Sequence, residues 1–271
     1  MDVNNLFSVK GKVVLVTGGA KGIGRMISEG FVTNGAKVYI SSRDAAACDA
    51  AVAELNRAGQ ASGSGGSAHA IPADFYSEDE CRRLAAELAR REDRLHVLVN
   101  NSGSNWGAPY AEYPDSAWVR VLTLNLHRVF TITQLVTPLL EKAAQGDGPG
   151  AEPARIINIG SVDGLRVPAL ETFAYSSSKA GLHHLSRVLA SHLGKRNITS
   201  NTLACGPFES KMMAATLKQY KDVIESGIPL HRIGSPEDVA GACLFLSSKA
   251  GSFVNGATIA LDGGSVINAK L

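Results

Sequence analysis

A short β-branched run that passes directly into a glycine-rich turn and a helical pattern opens the chain. The run KVVLVTG (residues 12–18) is apolar throughout, as in a strand buried on both faces. The turn TGGAKGIG (17–24) follows, and Ile23, Ile27 and Phe31 then recur at helical spacing. A buried strand that feeds straight into a helix is the first half of a parallel βαβ unit. Such units require a sheet covered by helices.

The same alternation continues along the 271 residues. Six more strands are predicted at AKVYISS, HAIPAD, LHVLVNN, RIINIGS, TSNTLAC and GATIALDGG. Further helices are predicted over 44–58, 77–91, 116–142, 173–194 and 235–248, and Gly/Ser/Pro-rich surface loops over 59–68 and 145–153. The pattern predicts an α/β protein: a three-layer Rossmann fold with a doubly wound, mostly parallel seven-stranded sheet and helices on both faces. Because the alternation resumes after each loop, we expect one domain over residues 1–271.

Charge and cysteine usage argue against several kinds of partner. The formal net charge is only +2, with 27 basic and 25 acidic residues interspersed, so we expect a small-molecule partner and no nucleic acid. The four cysteines lie far apart, which predicts neither a disulfide framework nor a metal site. No apolar stretch reaches the ~18 residues of a membrane helix, and the start lacks a signal-peptide pattern. We therefore expect a soluble, cytoplasmic protein that does not bind membranes.

The glycine-rich turn indicates a phosphate-binding loop. Gly18, Gly22 and Gly24, with Ile23 between the last two, would let the backbone turn tightly against a pyrophosphate at the start of the next helix. The turn lacks the Lys-Ser/Thr pair of a P-loop, so a nucleoside triphosphatase is not predicted. Its place between the first strand and the first helix favours a dinucleotide.

The end of the second strand predicts which dinucleotide binds. An NAD site would place a carboxylate about 20 residues beyond the glycines, but this strand ends in Ser42 and Arg43. Lys21 lies within the turn, and two cations with a hydroxyl suit a 2′-phosphate. We therefore expect NADP(H). Two alternatives stay open: solvated surface charge at these cations, and a ribose contact by Asp44 if the strand ends late.

Tyr175 and Lys179 stand one helical turn apart with only serines between them. Residues i and i+4 share a helix face, and a nearby ammonium favours the phenolate. Ser161 follows the fifth strand, at the sheet edge where ligands of doubly wound sheets bind, and could donate to a carbonyl oxygen. Taken alone, a Tyr-x-x-x-Lys pair is also consistent with an ordinary exposed helix.

The combined motifs resemble the classical short-chain dehydrogenase/reductase family over residues 9–266. After the glycine turn come NNSG (100–103), LNL (124–126) and LDGG (261–264), in the order the family has them. The segments SNWGA and INIGSVDG resemble its 3-oxoacyl-[acyl-carrier-protein] reductase and rhamnolipid-type β-ketoacyl reductase branch. One segment departs: CGPFES (205–210) stands where the family commonly has Pro-Gly.

The resemblance implies NADPH-dependent reduction of a ketone or 3-oxoacyl-type substrate to a secondary alcohol. It implies that Tyr175 is the general acid/base and that Lys179 lowers the pKa of Tyr175. It further implies that Ser161 orients the carbonyl and that Asn125 supports a water relay. Alternatives are an NAD-dependent alcohol or sugar dehydrogenase, and a non-catalytic NADP-sensing protein.

The resemblance also implies contact residues and assembly. A homodimer or homotetramer is implied, with the small-residue face of helix 173–194 at an interface. His183 and His184 are expected to pack between helices, and Trp106 is equally consistent with substrate contact and loop packing. Cofactor contacts are implied for Gly18, Lys21, Gly22, Ile23, Gly24, Ser42, Arg43, Asp74, Phe75, Asn101, Ser102, Gly103, Tyr175, Lys179, Phe208 and Ser210. Substrate contacts are implied for Ser104, Trp106, Leu165, Phe208 and Met212.

Overall fold

Seven parallel strands form one sheet in the order β3-β2-β1-β4-β5-β6-β7. The structure, a computed structural model, describes residues 2–145, 151–210 and 213–268. The strands are β1 (Val13–Thr17), β2 (Lys37–Ser41), β3 (Ser67–Ala70), β4 (Val97–Asn100), β5 (Ala154–Ile159), β6 (Ile198–Cys205) and β7 (Thr258–Leu261). The predicted doubly wound Rossmann sheet is confirmed, and every strand pairing is parallel.

Helices cover both faces of this sheet. The helices of the described residues are α1 (Val3–Leu6), α2 (Gly22–Thr33), α3 (Ala45–Ser62), α4 (Glu78–Arg91), α5 (Asp115–Leu122), α6 (Arg128–Gln145), α7 (Phe173–Leu193), α8 (Ala214–Ser226) and α9 (Pro236–Ser247). Local sequence explains several starts. Ser77 accepts a hydrogen bond from Glu80 N–H at the start of α4, and Ser235 with Asp238 forms a capping box at the start of α9.

Strand β1 shows how the sheet is buried on both sides. Val14 and Val16 belong to the core beneath α2, α3 and α9, whereas Val13 and Leu15 belong to the core beneath α4, α6 and α7. Successive strand residues point to opposite faces, so a fully covered strand is apolar at nearly every position. This explains why the first strand is a continuous apolar run instead of an alternating one.

Four elements differ from the sequence predictions. The predicted helix 116–142 is split into α5 and α6 by a π-helical turn at Thr123–His127. Helix α3 continues to Ser62 and ends at Gly63 in the left-handed conformation, so the predicted loop over 59–68 is shorter than expected. Strand β3 is Ser67–Ala70 instead of HAIPAD, and α8 was not predicted. Part of the predicted loop 145–153 lies outside the described residues.

The strand order creates the crevice in which a ligand would bind. The chain runs outward from β1 to β3 on one side and from β4 to β7 on the other, so the direction reverses between β1 and β4. Ligands of doubly wound sheets bind at the carboxyl ends of the strands beside such a reversal. Among the described residues, no helix has the length and apolar character needed to span a membrane.

Candidate active site

The glycine turn after β1 is shaped by positions that leave no room for a side chain. Gly18 and Gly22 have φ values of 67° and 53°, in the left-handed region that favours glycine. A Cβ on Gly18 would lie 2.8 Å from Asn101 Nδ2, and one on Gly24 would collide with the carbonyl oxygen of Gly18. The turn therefore presents bare backbone at the N-terminus of α2, as pyrophosphate binding requires.

A hydrogen-bond brace joins this turn to the segment after β4. Thr17 Oγ1 accepts from the backbone N–H groups of Asn101 (2.9 Å) and Ser102 (3.0 Å). Asn101 Nδ2 donates to the carbonyl oxygens of Thr17 (2.9 Å) and Gly18 (3.2 Å). The Asn101 side chain is thus engaged within the protein, and its contact with a cofactor stays a prediction. Thr17 was missed by sequence reasoning, although a hydroxyl at the end of the strand before the glycines was a signal for it.

Two arginines face a shallow cavity beside β2 and α5. Arg43, Tyr76 and Arg120 line this cavity, which has a volume of about 260 Å³. The Arg120 guanidinium lies 5.7 Å from the centroid of the Tyr76 ring. Arg43, predicted to bind a 2′-phosphate, is exposed at this cavity, just beyond the end of β2. The region is therefore cationic and open.

Asp44 does not have the position of a ribose-binding carboxylate. Strand β2 ends at Ser41, and Asp44 caps α3 by accepting a hydrogen bond from Ala47 N–H (3.0 Å). The Lys21 ammonium lies 3.6 Å from the same carboxylate. The Ala47 hydrogen bond and the Lys21 charge hold the pKa of Asp44 below its ordinary value. The alternative that Asp44 binds a ribose is therefore not favoured.

The segment after β3 is packed as a turn. Asp74 Oδ1 accepts from Tyr76 N–H (3.0 Å), and Phe75 is buried among the core side chains on the α4 face. Ser42 is also a predicted cofactor contact. Its carbonyl oxygen accepts a hydrogen bond from Ala73 N–H (3.1 Å). Cofactor contacts of these residues stay predictions.

Lys179 is buried with its ammonium held by the backbone. Its Nζ donates to the carbonyl oxygen of Ile159 at 2.7 Å and lies 5.6 Å from the centroid of the Tyr175 ring. Burial lowers the pKa of Lys179 to about 8. A Cβ on Gly103 would lie 3.8 Å from this ammonium, so the loop after β4 passes directly beside it.

Tyr175 has a raised pKa, which corrects the sequence expectation. Burial is the main cause and raises the pKa of Tyr175 to about 12; hydrogen bonding with Ser161 opposes the rise, and the charge of Asp163 adds to it. The net shift of this pKa is therefore opposite to the expected lowering, and the contribution of Lys179 itself stays a prediction. The ammonium donates its hydrogen bond to Ile159 O instead of to the phenol oxygen.

Ser161 begins a short 3₁₀ turn, Val162–Gly164, directly after β5. Its Oγ accepts a hydrogen bond from Asp163 N–H (3.1 Å), which leaves the hydroxyl hydrogen available to another acceptor. Its backbone N–H donates to His183 Nε2 at 3.4 Å. The predicted neighbours Ser161, Tyr175 and Lys179 are thus brought together at the carboxyl end of β5.

Asn125 lies in the π-helical turn between α5 and α6 and is buried. Its Oδ1 accepts from Ser104 N–H (2.8 Å), and its Nδ2 donates to Ser104 O (2.9 Å) and Ser178 Oγ (3.0 Å). One side chain thereby ties the loop after β4 to α7. Single π-helical turns within helices are frequent at functional sites. The role of Asn125 in a water relay stays a prediction.

The predicted substrate residues fall into different environments. Trp106 and Leu165 are 40% and 45% exposed, at the loops that follow β4 and β5. Ser104 Oγ accepts a hydrogen bond from Tyr76 OH (3.3 Å). The Phe208 ring is 2% exposed and packs so tightly on Gly234 that a Cβ there would overlap it. That placement argues against a substrate contact by the ring.

One further predicted residue, Ser210, lies on the loop after β6. Ser210 approaches the glycine turn, because a Cβ on Gly22 would be 3.2 Å from Ser210 Cβ. Met212 lies outside the described residues. Within the described part of the chain, no group of three or more His, Cys, Asp or Glu side chains is arranged to hold a metal ion.

Comparison with known proteins places this geometry in a family. A family model described as enoyl-(acyl carrier protein) reductase matches residues 18–266. The rhamnolipids biosynthesis 3-oxoacyl-[acyl-carrier-protein] reductase of Pseudomonas aeruginosa is 42% identical over 95% of this chain and 97% of its own length. The 3-oxoacyl-[acyl-carrier-protein] reductase FabG of Thermotoga maritima is 33% identical over 96% of this chain and 99% of its own.

The fold comparison agrees with the sequence comparison. A solved structure of the Pseudomonas aeruginosa RhlG/NADP active-site complex superposes with a TM-score of 0.89 and 41% identity, covering 97% of this chain and 99% of that one. The likeness to these reductases therefore covers nearly the whole chain in both sequence and fold. This chain belongs to the short-chain dehydrogenase/reductase family and is an oxidoreductase of that family.

Proposed function

We propose that the protein is an NADPH-dependent keto reductase that converts a ketone or 3-oxoacyl-type substrate to a secondary alcohol. The observation that carries this proposal is the convergence of Ser161, Tyr175 and Lys179 at the carboxyl end of β5. That place lies beside the bare-backbone glycine turn of β1, at the reversal point of the sheet. The similar Pseudomonas aeruginosa proteins support the same reaction class.

The residues of the crevice fit a phosphorylated dinucleotide. The glycine turn leaves a cradle that a Cβ at Gly18 or Gly24 would fill. Arg43 faces a cationic cavity at the end of β2, and among the described residues no carboxylate forms an ion pair with it. NADPH, when bound, supplies the hydride. This chain's residues position the cofactor and the carbonyl and supply the proton.

Tyr175 is suited to donate a proton. With its pKa raised to about 12, the phenol stays protonated at neutral pH and loses its proton only to a carbonyl oxygen that is gaining charge. The Lys179 ammonium then stabilises the phenolate left behind. Ser161, whose Oγ already accepts from Asp163 N–H, donates its own hydrogen to the same carbonyl oxygen.

Asn125 and Lys179 together are proposed to resupply the proton. The Asn125 side chain fixes the loop after β4 against α7, and Gly103 on that loop lies beside both Asn125 Oδ1 and Lys179 Nζ. We expect a water molecule beside Gly103 to exchange protons with the lysine, which in turn restores the proton of Tyr175.

The cleft rim favours a neutral, partly apolar carbonyl compound. Trp106, Leu165, Val167 and Leu170 are exposed large hydrophobic residues on the loops after β4 and β5. Such a rim suits the acyl chain of a 3-oxoacyl thioester, as the names of the similar reductases suggest. A polyketide-type ketone or a small keto ester fits the same description.

We also propose a single domain and a symmetric assembly. In the described part of the chain, the seven strands belong to one sheet, as a single domain would have. Helix α7 presents small exposed residues, among them Ser177 and Ala180, and the exposed Val188 lies about two turns further along the helix. A second copy packed on this face would give the homodimer or homotetramer expected of the family.

A substrate panel tests the proposal. NADPH and NADH oxidation would be followed with 3-oxoacyl thioesters, keto esters and keto sugars, and NAD⁺ and NADP⁺ reduction with the corresponding alcohols. We expect the highest kcat/KM with NADPH and an apolar 3-oxo compound. Faster turnover of alcohols or sugars with NAD⁺ would support the NAD-dependent dehydrogenase instead. Tight NADPH binding with no turnover of any carbonyl would support a sensor.

A further inference from the structure

His183 lies directly beneath the proposed catalytic serine. It projects from α7, is 2% exposed, and its Nε2 accepts the backbone N–H of Ser161 at 3.4 Å. The preceding residue, Gly160, makes the last sheet hydrogen bond of this segment, from its N–H to Leu203 O (2.8 Å). The backbone N–H of Ser161 takes no part in the hydrogen bonds of the sheet. Among the described residues, its acceptor is the imidazole of His183.

The surroundings of this imidazole fix its position. A Cβ on Gly160 would overlap His183 Nε2, and a Cβ on Gly164 would lie 2.7 Å from His183 Cε1. The ring is therefore enclosed by the two glycines that flank the serine and its 3₁₀ turn. Little space remains for the imidazole to shift, and little for the serine segment to shift against it.

The imidazole is held as a neutral acceptor. Burial, followed by the charges of Lys179 and Arg187, lowers the pKa of His183 to about 4. With Nε2 accepting, the neutral ring carries its proton on Nδ1, which has no hydrogen-bond partner among the described residues. The ring is therefore held by one hydrogen bond, from the backbone N–H of Ser161.

We infer that His183 is a positioning residue for the reaction: it accepts the Ser161 N–H and so sets the direction of the serine hydroxyl toward the substrate carbonyl. The extended backbone of Ser161 (φ −152°, ψ 151°) directs its Oγ, and the only side-chain acceptor that holds this backbone, among the described residues, is His183. The inference rests on the proposed function, because it assumes that Ser161 orients the substrate.

A matched pair of variants separates the effect of the hydrogen-bond acceptor at position 183 from the effect of side-chain volume. In His183→Gln, Oε1 lies the same number of bonds from Cα as Nε2, so an acceptor is kept. In His183→Met the length is similar but the acceptor is lost. We expect His183→Met to lower kcat by about 100-fold, because small misplacements of reacting groups have effects of this size. His183→Gln should retain most of kcat. NADPH binding, measured by fluorescence, should be unchanged in both.

The exposed neighbour supplies the control. His184 lies on the outer side of α7, where its ring contacts Arg187. His184→Met should therefore leave kcat and KM near the wild-type values. Equal losses in His183→Met and His184→Met would indicate a general effect on α7 and overturn the inference.

The decisive measurement places His183→Met in a Ser161→Ala background. If the histidine acts through the serine, it should cause no further loss of kcat once the hydroxyl is gone. An equal loss in both backgrounds, or an equally damaged His183→Gln, would overturn the inference. A Ser161→Ala variant with full activity would instead overturn the proposed function.

One observable needs no variant. The ¹⁵N chemical shifts of His183 in the wild-type protein report which ring nitrogen carries the proton. We expect a neutral ring with the proton on Nδ1 and an unprotonated Nε2 near pH 7. A proton on Nε2, or a charged ring, would contradict the hydrogen bond on which the inference rests, even if the His183→Met protein fails to fold.

Discussion

Tyr175 and Lys179 show which properties of a site residue can be predicted from sequence and which cannot. Their spacing predicted a shared helix face, and the structure places the ammonium 5.6 Å from the ring centroid. The direction of the tyrosine pKa was predicted wrongly, because it depends on how far β6 and the turn after β5 bury the phenol. Burial of that kind arises from contacts between distant segments and leaves no local pattern.

The two pKa values predict the pH dependence of reduction. Tyr175, with a pKa of about 12, keeps its proton across the neutral range, so its titration cannot limit the rate there. Lys179, with a pKa of about 8, is charged below that pH and loses the charge that stabilises the phenolate above it. We expect kcat with saturating NADPH to be level below about pH 8 and to fall as the pH rises through it.

Lys179→Arg is the control for this pH profile. A guanidinium stays charged throughout the range, so the variant should be slower but lack the alkaline fall. A wild-type kcat that rises through pH 8, or that stays level up to pH 10, would contradict the assignment of the fall to Lys179.

Arg43 is predicted to select the phosphorylated cofactor. Replacing it in Arg43→Ala removes the guanidinium from the cavity at the end of β2. The preference of kcat/KM for NADPH over NADH should fall by 10-fold or more, because charge-assisted contacts to phosphate are worth about 1.5–3 kcal/mol. Arg57→Ala, at an exposed position on α3, should leave the preference unchanged. An unaltered preference in Arg43→Ala would exclude this role.

At the scale of elements, the strand–turn–helix unit at the start of the chain was predicted well and the split helix was not. The apolar run, the glycines and the helical spacing of Ile27 and Phe31 are all local signals, and β1 and α2 follow them. The π-turn at Thr123–His127 inserts residues into a helix whose apolar pattern continues on both sides. The periodic apolar pattern therefore did not predict the π-turn.

The glycine turn gives a prediction with an internal control. Gly24→Ala places a Cβ against the carbonyl oxygen of Gly18, so we expect unfolding to become easier by about 1–3 kcal/mol and NADPH affinity to fall. Gly241→Ala in α9 meets nothing within 4 Å and should stabilise the protein by about 0.5–1 kcal/mol. Thermal unfolding and NADPH titration of both variants check this. A Gly24→Ala protein with wild-type stability and affinity would show that the turn is not sterically closed.

At the scale of the whole molecule, strand–helix alternation in the sequence predicted the doubly wound sheet, but it did not predict the oligomeric assembly. Alternation requires a parallel sheet with helices on both faces, and the two cores beneath α2–α3–α9 and α4–α6–α7 have that arrangement. Oligomer size depends on contacts between the surfaces of separate copies. The sequence of one chain has no periodic pattern that marks those surfaces. The single-domain organisation also stays a prediction, which one cooperative thermal transition would support.

The α7 face gives a prediction about assembly. Ala180→Arg places a long cation among its small exposed residues, so the oligomer should dissociate to smaller species in light-scattering measurements. Ala86→Arg, at an exposed position on α4, is the matched control and should keep the wild-type mass. An Ala180→Arg protein with the wild-type mass would show that this face is not an interface.

Tyr175→Phe with a 3-oxo substrate and NADPH tests the central claim most directly. The variant keeps the ring and removes only the proton donor, so the hydride-transfer rate in a single turnover should fall by about 10²–10⁴-fold while the NADPH dissociation constant stays the same. A rate within a few-fold of the wild type, at unchanged cofactor affinity, would contradict proton donation by this tyrosine.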